Sequence, residues 1–324
     1  MMFMPIEMKY KIGEKVATRD GYGDALVALG EEHEDIVVLD ADLAKSTKSI
    51  LFGKKFPGRF RYVGISEADM VSMGAGLARC GKVPFVSSFA SFLVNRSLDQ
   101  IRVSVAYSQT NVKMVGSHGG IITGDDGPTG QEVSDIAVMN SIPNVNVFVP
   151  ADYYETVACA YAMYEHQGPM YMRTAREKTP ILYDKVPEFE IGKATVLCEG
   201  SDGAIIAIGP LVGEAMKAAD MLKAQGISAS VLDFASVKPM DAKAVLKEAG
   251  KNFIVTAEDG VVHGLGGSVA EIIAARKGRG GFGMIGMRNS FAESGKPAEL
   301  YKKYQLDAEA IVKRVISCTK EGTQ

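Results

Sequence analysis

The sequence predicts an α/β protein of two domains, each a mainly parallel sheet flanked by helices. Three observations carry that reading. Strand-length apolar runs alternate with helical patterns along most of the chain. A segment rich in Pro, charge and turn signals, "KTPILYDKVPEFEIGKATVLCEGSDG", interrupts the alternation, which then restarts. The length of 324 residues suits about two domains of roughly 150 residues. The division is placed at 1–187 and 188–324.

In the first domain, "DIVVLDADL" reads as a strand running into a loop, and "KVPFVSSF" as a second strand. "LVNRSLDQIRVSVAYS" reads as one helix. "VKMVGSH" is a strand, "GQEVSDIAVMNSI" a helix, "VNVFVPAD" a strand, "YYETVACAYAMYEH" a helix and "PMYMRTAR" a strand. In the second domain, "GAIIAIGPL", "ISASVLDF" and "NFIVTAEDG" are strands. "VGEAMKAADMLKAQG", "DAKAVLKEAG" and "GGSVAEIIAARKG" are helices, with glycine as a natural stop. Such alternation requires crossover connections, hence parallel pairing with both faces covered.

Composition excludes several classes. Lys and Arg number 36 against 39 Asp and Glu, a net charge of -3, so no basic excess argues for nucleic acid or an anionic membrane. The opening "MMFMPIEMKYKIGEK" has no continuous apolar run, reads as neither a signal peptide nor a span, and leads to a cytoplasmic expectation. Cys80, Cys159, Cys198 and Cys318 are far apart and form no C-x-x-C, so they read as small buried hydrophobes rather than a zinc site or disulfide framework. The motifs G-K-[ST], H-E-x-x-H and G-x-S-x-G are absent. "HGLGGS", with His263, is one glycine short of a dinucleotide loop and reads as a tight turn before a close-packed helix.

In open α/β sheets, ligands bind beyond the carboxyl ends of the strands. The loops there are "DADLAKST", "GISEAD", "SSFASF", "GSHGGIITGDDGPTGQ" and "RTAREK", all in the first domain and all polar. In "GISEADMVSMGAGLARCG", Ser66 and Asp69 form an S-x-x-D capping pattern, and Glu67 is satisfied as a first-turn acid. The small residues Gly74, Ala75 and Gly76 allow close packing, the setting in which a carboxylate loses water and becomes chemically useful. Both readings of Glu67 stand at this point. The glycine-rich loop carries His118, Asp125 and Asp126, suited either to acid–base and hydroxyl-binding work or to a solvated turn. Arg173 and Arg176, with Arg19 and Ser46, have the chemistry of a phosphate clamp, although scattered arginines are also ordinary surface residues.

Taken in order, "ATRDGYGDAL", "DADLAKST", "GISEADMVSMGAGLA", "PFVSSFASF", "DQIR", "GSHGGIITGDDGPTGQ", "PNVNVFVPAD" and "RTAR" resemble the carboxyl-terminal half of a transketolase. The resemblance covers nearly the whole chain and is strongest over residues 15–180. It implies the pyrimidine-binding and carboxyl-terminal domains of a thiamine diphosphate enzyme that moves a two-carbon ketol unit from a ketose phosphate to an aldose phosphate. It implies that Glu67 bonds N1′ of the aminopyrimidine and favours its imino form, that Phe92 stacks on that ring beside Phe89, and that Asp42 is a loop acid near the cofactor. Arg19, Ser46, His118 and Arg176 match sugar-phosphate binders, and Asp126 an acid that meets a substrate hydroxyl. A carboxyl that donates near neutral pH requires a dry pocket.

The family's Mg²⁺-diphosphate half normally carries G-D-G and a later Asn; no G-D-G occurs here. The resemblance therefore implies a split enzyme: an amino-terminal transketolase subunit as a separate polypeptide holding Mg²⁺, and a two-fold α2β2 assembly. Two departures stand out. Gly130 replaces a family His or Gln, whose place neighbouring Gln131 or the partner subunit would take. "FASFLVNRSLDQ" carries an extra residue near Asn95. The competing readings are the β-subunit of a 2-oxoacid dehydrogenase, a deoxyxylulose-phosphate synthase, and a non-catalytic regulatory subunit.

Overall fold

The computed structural model describes residues 6, 8–274 and 280–321. Seven strands form the larger sheet, in the spatial order Ser236–Lys238, Asn146–Phe148, Met170–Thr174, Lys113–Ser117, Val83–Phe89, Ile36–Asp40 and Phe60–Tyr62. Every pair is parallel except the first, where Ser236–Lys238 runs antiparallel to Asn146–Phe148. That edge strand comes from the second half of the chain, so the first sheet is completed by its neighbour. The second sheet has five strands, in the order Gly281–Met287, Phe253–Val261, Gly203–Ala207, Ala229–Asp233 and Thr195–Cys198, antiparallel only at its last pair. Lys15–Ala17 and Lys178–Pro180 make a small antiparallel ribbon.

Burial explains the strand readings. Lys113–Ser117, Met170–Thr174, Gly203–Ala207 and Ala229–Asp233 are buried along their whole length, as expected for parallel strands covered on both faces. Three apolar clusters fill the layers. One lies around Leu26, Phe52, Phe85 and Tyr161, and one around Ile205, Leu211, Ile311 and Val315. The third joins Val86 and Met114 of the first sheet to Phe234, Val245 and Leu265 of the second half, so apolar packing is continuous between the halves.

Three local readings change. The helix expected from "LVNRSLDQIRVSVAYS" is α-helical over Ala90–Gln100 and continues with wider π geometry over Ile101–Tyr107. The helix expected from Gly130 onward begins only at Asp135, because residues 127–134 form turns around the loop that precedes it. The strand Gly281–Met287 and the helix Ala308–Glu321 extend the second domain beyond the elements read from sequence. None of the four cysteines is in a disulfide among the described residues; Cys159 and Cys318 are buried, but Cys198 is half-buried and Cys80 exposed, so the expectation of burial fails at those two.

Candidate active site at the strand ends

The register of the larger sheet sets the site. Asp40 lies opposite Ser87, Phe89 opposite Ser117, and Ser117 opposite Thr174. Four adjacent parallel strands therefore end nearly level, and the loops after them open on one edge. Thr18 completes the rim: its hydroxyl accepts the Ala175 amide at 2.7 Å, tying the start of helix Thr18–Glu32 to the end of Met170–Thr174. This brings Arg19 and Arg176 to the same place although 157 residues separate them in the chain.

Glu67 is the first residue of helix Glu67–Arg79 and is 2% exposed. Ser66 occupies the N-cap position, but its side chain makes no capping hydrogen bond, so the S-x-x-D pattern does not operate as a cap. The Ser88 hydroxyl reaches Glu67 Oε1 at 3.3 Å, and Arg96 Nη1 donates to both carboxylate oxygens at 3.1 Å. The small residues of the helix act as the sequence suggested at one position only. A Cβ on Gly74 would sit 2.9 Å from Val86 Cγ1, so glycine lets the helix press on the central strand, whereas Gly76 faces open space.

Phe89, Phe92 and His118 form one stack. The Phe89 ring lies 3.8 Å from the His118 ring and 5.5 Å from Phe92, each at 23°. Phe92 and Arg96 are four apart on the same helix face, and the guanidinium carbon stands 4.1 Å over the Phe92 ring centre. His118 has a left-handed backbone, φ 62°, where the chain turns out of its strand. Its Nδ1 is 2.8 Å from Ser117 Oγ and its Nε2 is 3.4 Å from Arg19 Nη1. Burial, then Arg19 and Arg176, hold the imidazole at a pKa of about 3, so it is neutral at pH 7.

Arg19 donates to the Ser46 carbonyl at 3.0 Å, which orders Ser46 through its backbone. Burial lowers the Arg19 pKa from its ordinary value, and its Nε is buried without a partner. Arg176 donates to Asp126 Oδ1 at 2.7 Å and to the Thr123 carbonyl at 3.1 Å. Asp42 is exposed and left-handed at φ 67°. Its loop is ordered instead by Asp40, which accepts from the Leu43 amide at 2.6 Å, Thr47 Oγ1 at 2.7 Å and Ser49 Oγ at 2.8 Å. Burial raises the Asp40 pKa above its usual range, opposed by those three hydrogen bonds.

Two expectations about this region are corrected. Arg173 is not on the rim: it is 4% exposed, its Nε bonds Asp135 Oδ2 at 2.9 Å, its Nη2 meets Asp135 Oδ1, and its Nη1 reaches the Asp259 carbonyl at 2.6 Å. Burial works against its charge, but Asp135, Tyr171 and Asp259 together hold the guanidinium above its ordinary pKa. Gln131 does not replace a side chain at Gly130. Its Nε2 bonds the carbonyls of Gly124 at 2.8 Å and Glu293 at 3.0 Å, making it a brace between loop and second domain. At Gly130 a Cβ would lie 3.0 Å from Asp126 Cβ.

The glycine-rich loop is held from outside. Asp259 Oδ1 and Oδ2 accept the Ile121 and Ile122 amides at 2.8 and 3.1 Å, and Tyr301 donates to Oδ2 at 2.9 Å. Ser294 Oγ bonds the Asp125 carbonyl at 2.6 Å. Sequence reading missed Asp40, Arg96, Asp135 and Asp259. The first and last stand in polar strand-end segments, "LDADL" and "AEDG", which is the one signal they gave. "HGLGGS" is the expected tight turn: Glu258 accepts the Leu265 and Gly266 amides at 3.0 and 2.9 Å, and His263 is exposed.

The chain is thus a two-domain α/β protein with a buried carboxylate beside an aromatic stack at level strand ends. The comparisons with known proteins are specific. The family described as "Transketolase, pyrimidine binding domain" matches residues 14–181 and "Transketolase, C-terminal domain" matches 192–311. This chain belongs to the transketolase family. It is 45% identical to a chain from Methanocaldococcus jannaschii named as a transketolase C-terminal section, over 92% of this chain and 95% of that one. It is 39% identical to "6-deoxy-6-sulfo-D-fructose transketolase subunit SqwH" from Clostridium sp. (strain MSTE9), over 96% of each. Against the Homo sapiens transketolase it is 38% identical over 96% of this chain but 50% of that one. Among solved structures, one titled "Split gene transketolase, inactive beta4 tetramer" is similar at a TM-score of 0.87 and 40% identity, covering 95% of this chain and all of that one.

Proposed function

We propose that this chain is one subunit of a split transketolase, transferring a two-carbon ketol unit between phosphorylated sugars. The observation that carries the reading is the joint presence, at one edge of one sheet, of buried Glu67 and the Phe92–Phe89–His118 stack. Those residues fit an aminopyrimidine: an aromatic face for a flat ring and a water-excluded carboxylate for a ring nitrogen. When bound, thiamine diphosphate supplies the carbanion chemistry. Glu67 orients the ring and holds or moves a proton at N1′. Phe92 supplies the stacking face.

His118, neutral at pH 7, serves as a hydrogen-bond partner for a substrate oxygen rather than as a cation. Arg19 and Arg176 supply the positive charge for a sugar phosphate, and Asp126, already held by Arg176, reads a sugar hydroxyl. On the same reading Asp42 is a loop acid near the cofactor and Ser46 a binder of the sugar phosphate. Among the described residues there is no cluster of His, Cys, Asp or Glu that fits a metal ion. We assign Mg²⁺ and the diphosphate to an amino-terminal subunit, in an α2β2 assembly that places each site between chains. Relatives named as a C-terminal section and as a transketolase subunit support that division. No described helix is long and apolar enough to cross a membrane.

The test is ketol transfer by the reconstituted complex with Glu67→Gln. The expected loss is about 10²–10⁴-fold in kcat, the range of a positioned acid–base group, with the fold intact by circular dichroism. Transfer at the wild-type rate refutes the assignment. Pyruvate decarboxylation by the wild-type complex favours the 2-oxoacid dehydrogenase reading instead.

A further inference from the structure

Both groups that the proposed function assigns to the cofactor ring are engaged by a single side chain. Arg96 Nη1 donates to Glu67 Oε1 and Oε2, each at 3.1 Å, while its guanidinium carbon stands 4.1 Å over the Phe92 ring centre. A guanidinium is flat, carries N–H donors in its plane and stacks on aromatic faces. In shape and hydrogen-bonding chemistry it resembles an aminopyrimidine. We propose that Arg96 is a displaceable latch: in the cofactor-free chain it occupies the slot between Glu67 and Phe92, and it swings out when thiamine diphosphate binds. The inference rests on the functional reading of Glu67 and Phe92 given above.

The physical argument has three parts. First, Glu67 is 2% exposed, and among the described residues only Ser88, at a long 3.3 Å, also bonds its carboxylate. A buried carboxylate without a cationic partner is strongly destabilising, so the chain needs a stand-in whenever the ring is absent. Second, a ring stacked on Phe92 and bonded to Glu67 fills the volume that the guanidinium fills, so the two are mutually exclusive. Third, Arg96 is free to leave. Its side chain is 49% exposed, and among the described residues its guanidinium hydrogen-bonds only Glu67 and lies over only the Phe92 ring. Its neighbour Asn95 anchors this stretch of helix by bonding Glu132 at 2.5 Å, so the swing needs only side-chain rotation.

The latch predicts opposite effects in the two states. In the lone chain, Arg96→Met lowers the midpoint of thermal unfolding, and adding Glu67→Gln restores most of the loss, because the orphaned charge is gone. In the complex reconstituted with a diphosphate-binding subunit, Arg96→Met binds thiamine diphosphate about tenfold more tightly by calorimetry, one charge-assisted contact no longer having to be broken. The association rate rises with it. Arg96→Lys, which keeps the charge but loses the planar stack, falls between wild type and Arg96→Met, and it serves if the methionine variant fails to fold. Equal or weaker binding by the variants, with normal binding by wild type, overturns the latch while leaving the functional reading intact. If the wild-type complex does not bind thiamine diphosphate at all, the functional reading falls and the latch with it.

Discussion

The two domains are built from the same alternation of parallel strands and helices, yet they use their buried polar groups differently. In the first domain, besides inward pairs such as Arg173 and Asp135, one set of ionisable residues lies just past the strand ends: Glu67, His118, Arg19 and Arg176. In the second, they face inward or across the domain junction. Asp259 holds the backbone of the site loop, Glu258 holds the start of helix Leu265–Ala274, and Asp233 shares Tyr183 with Glu155 of the first domain, at 2.9 and 3.2 Å. Burial raises the pKa of Glu258 to about 7 against the opposing hydrogen bonds of the Gly266 and Leu265 amides, and it raises that of Asp233 against the hydrogen bond from Tyr183. The comparison teaches that the candidate site lies on one domain while the other holds part of its loop in place.

The largest effect that would break this division is expected at Arg173, which joins the first domain's Asp135 to the backbone of the second domain's Asp259. Arg173→Met leaves Asp135 charged and buried, and should cost about 3–5 kcal/mol of stability in a denaturant titration. A loss below 1 kcal/mol would mean that the pair is not a structural tie. Next comes Asp259→Ala, which orphans the Ile121 and Ile122 amides. About 1–3 kcal/mol of stability is expected to be lost. Because the brace holds the loop of His118 and Asp126, KM for the phosphorylated sugar should rise in the complex. A stability loss with KM unchanged would show that the second domain does not govern the site.

At pH 7 the smallest of the three effects is that of His118, and it is read by lowering the pH. Its folded pKa of about 3 lies below the ordinary 6.5, so below pH 6.5 the unfolded chain takes up a proton that the folded chain does not. Stability should therefore fall as pH drops from about 6.5 towards 3, by at most about 1.4 kcal/mol per pH unit for this one group. His118→Gln should flatten that part of the curve, as measured by denaturant titrations at several pH values. An unchanged slope would place the imidazole in water, outside the stack with Phe89.

The sequence by itself determined the alternation, because parallel strands buried on both faces must be near-continuously apolar; "VKMVGSH" and "GAIIAIGPL" carried that signal without help. It also determined the candidates at the strand ends, because those loops are polar where mere connectors have no need to be. Glu67 was visible as an acid at a helix start, but its burial at 2% exposure, with Ser88 and Arg96 against its carboxylate, was not. Tertiary structure alone decided the rest. It sent Arg173 inward and Arg176 to the rim, although both sit at one strand end three residues apart, because the strand's alternation points the first at Asp135 and the chain leaves the sheet before the second. It placed Arg96, which helical spacing already sets over Phe92, on Glu67, a contact between residues 29 apart that local periodicity does not encode. And it brought Asp259 to the amides of a loop 138 residues away. A local pattern records what a segment must bury. Which distant group satisfies it is settled only when the sheets are assembled.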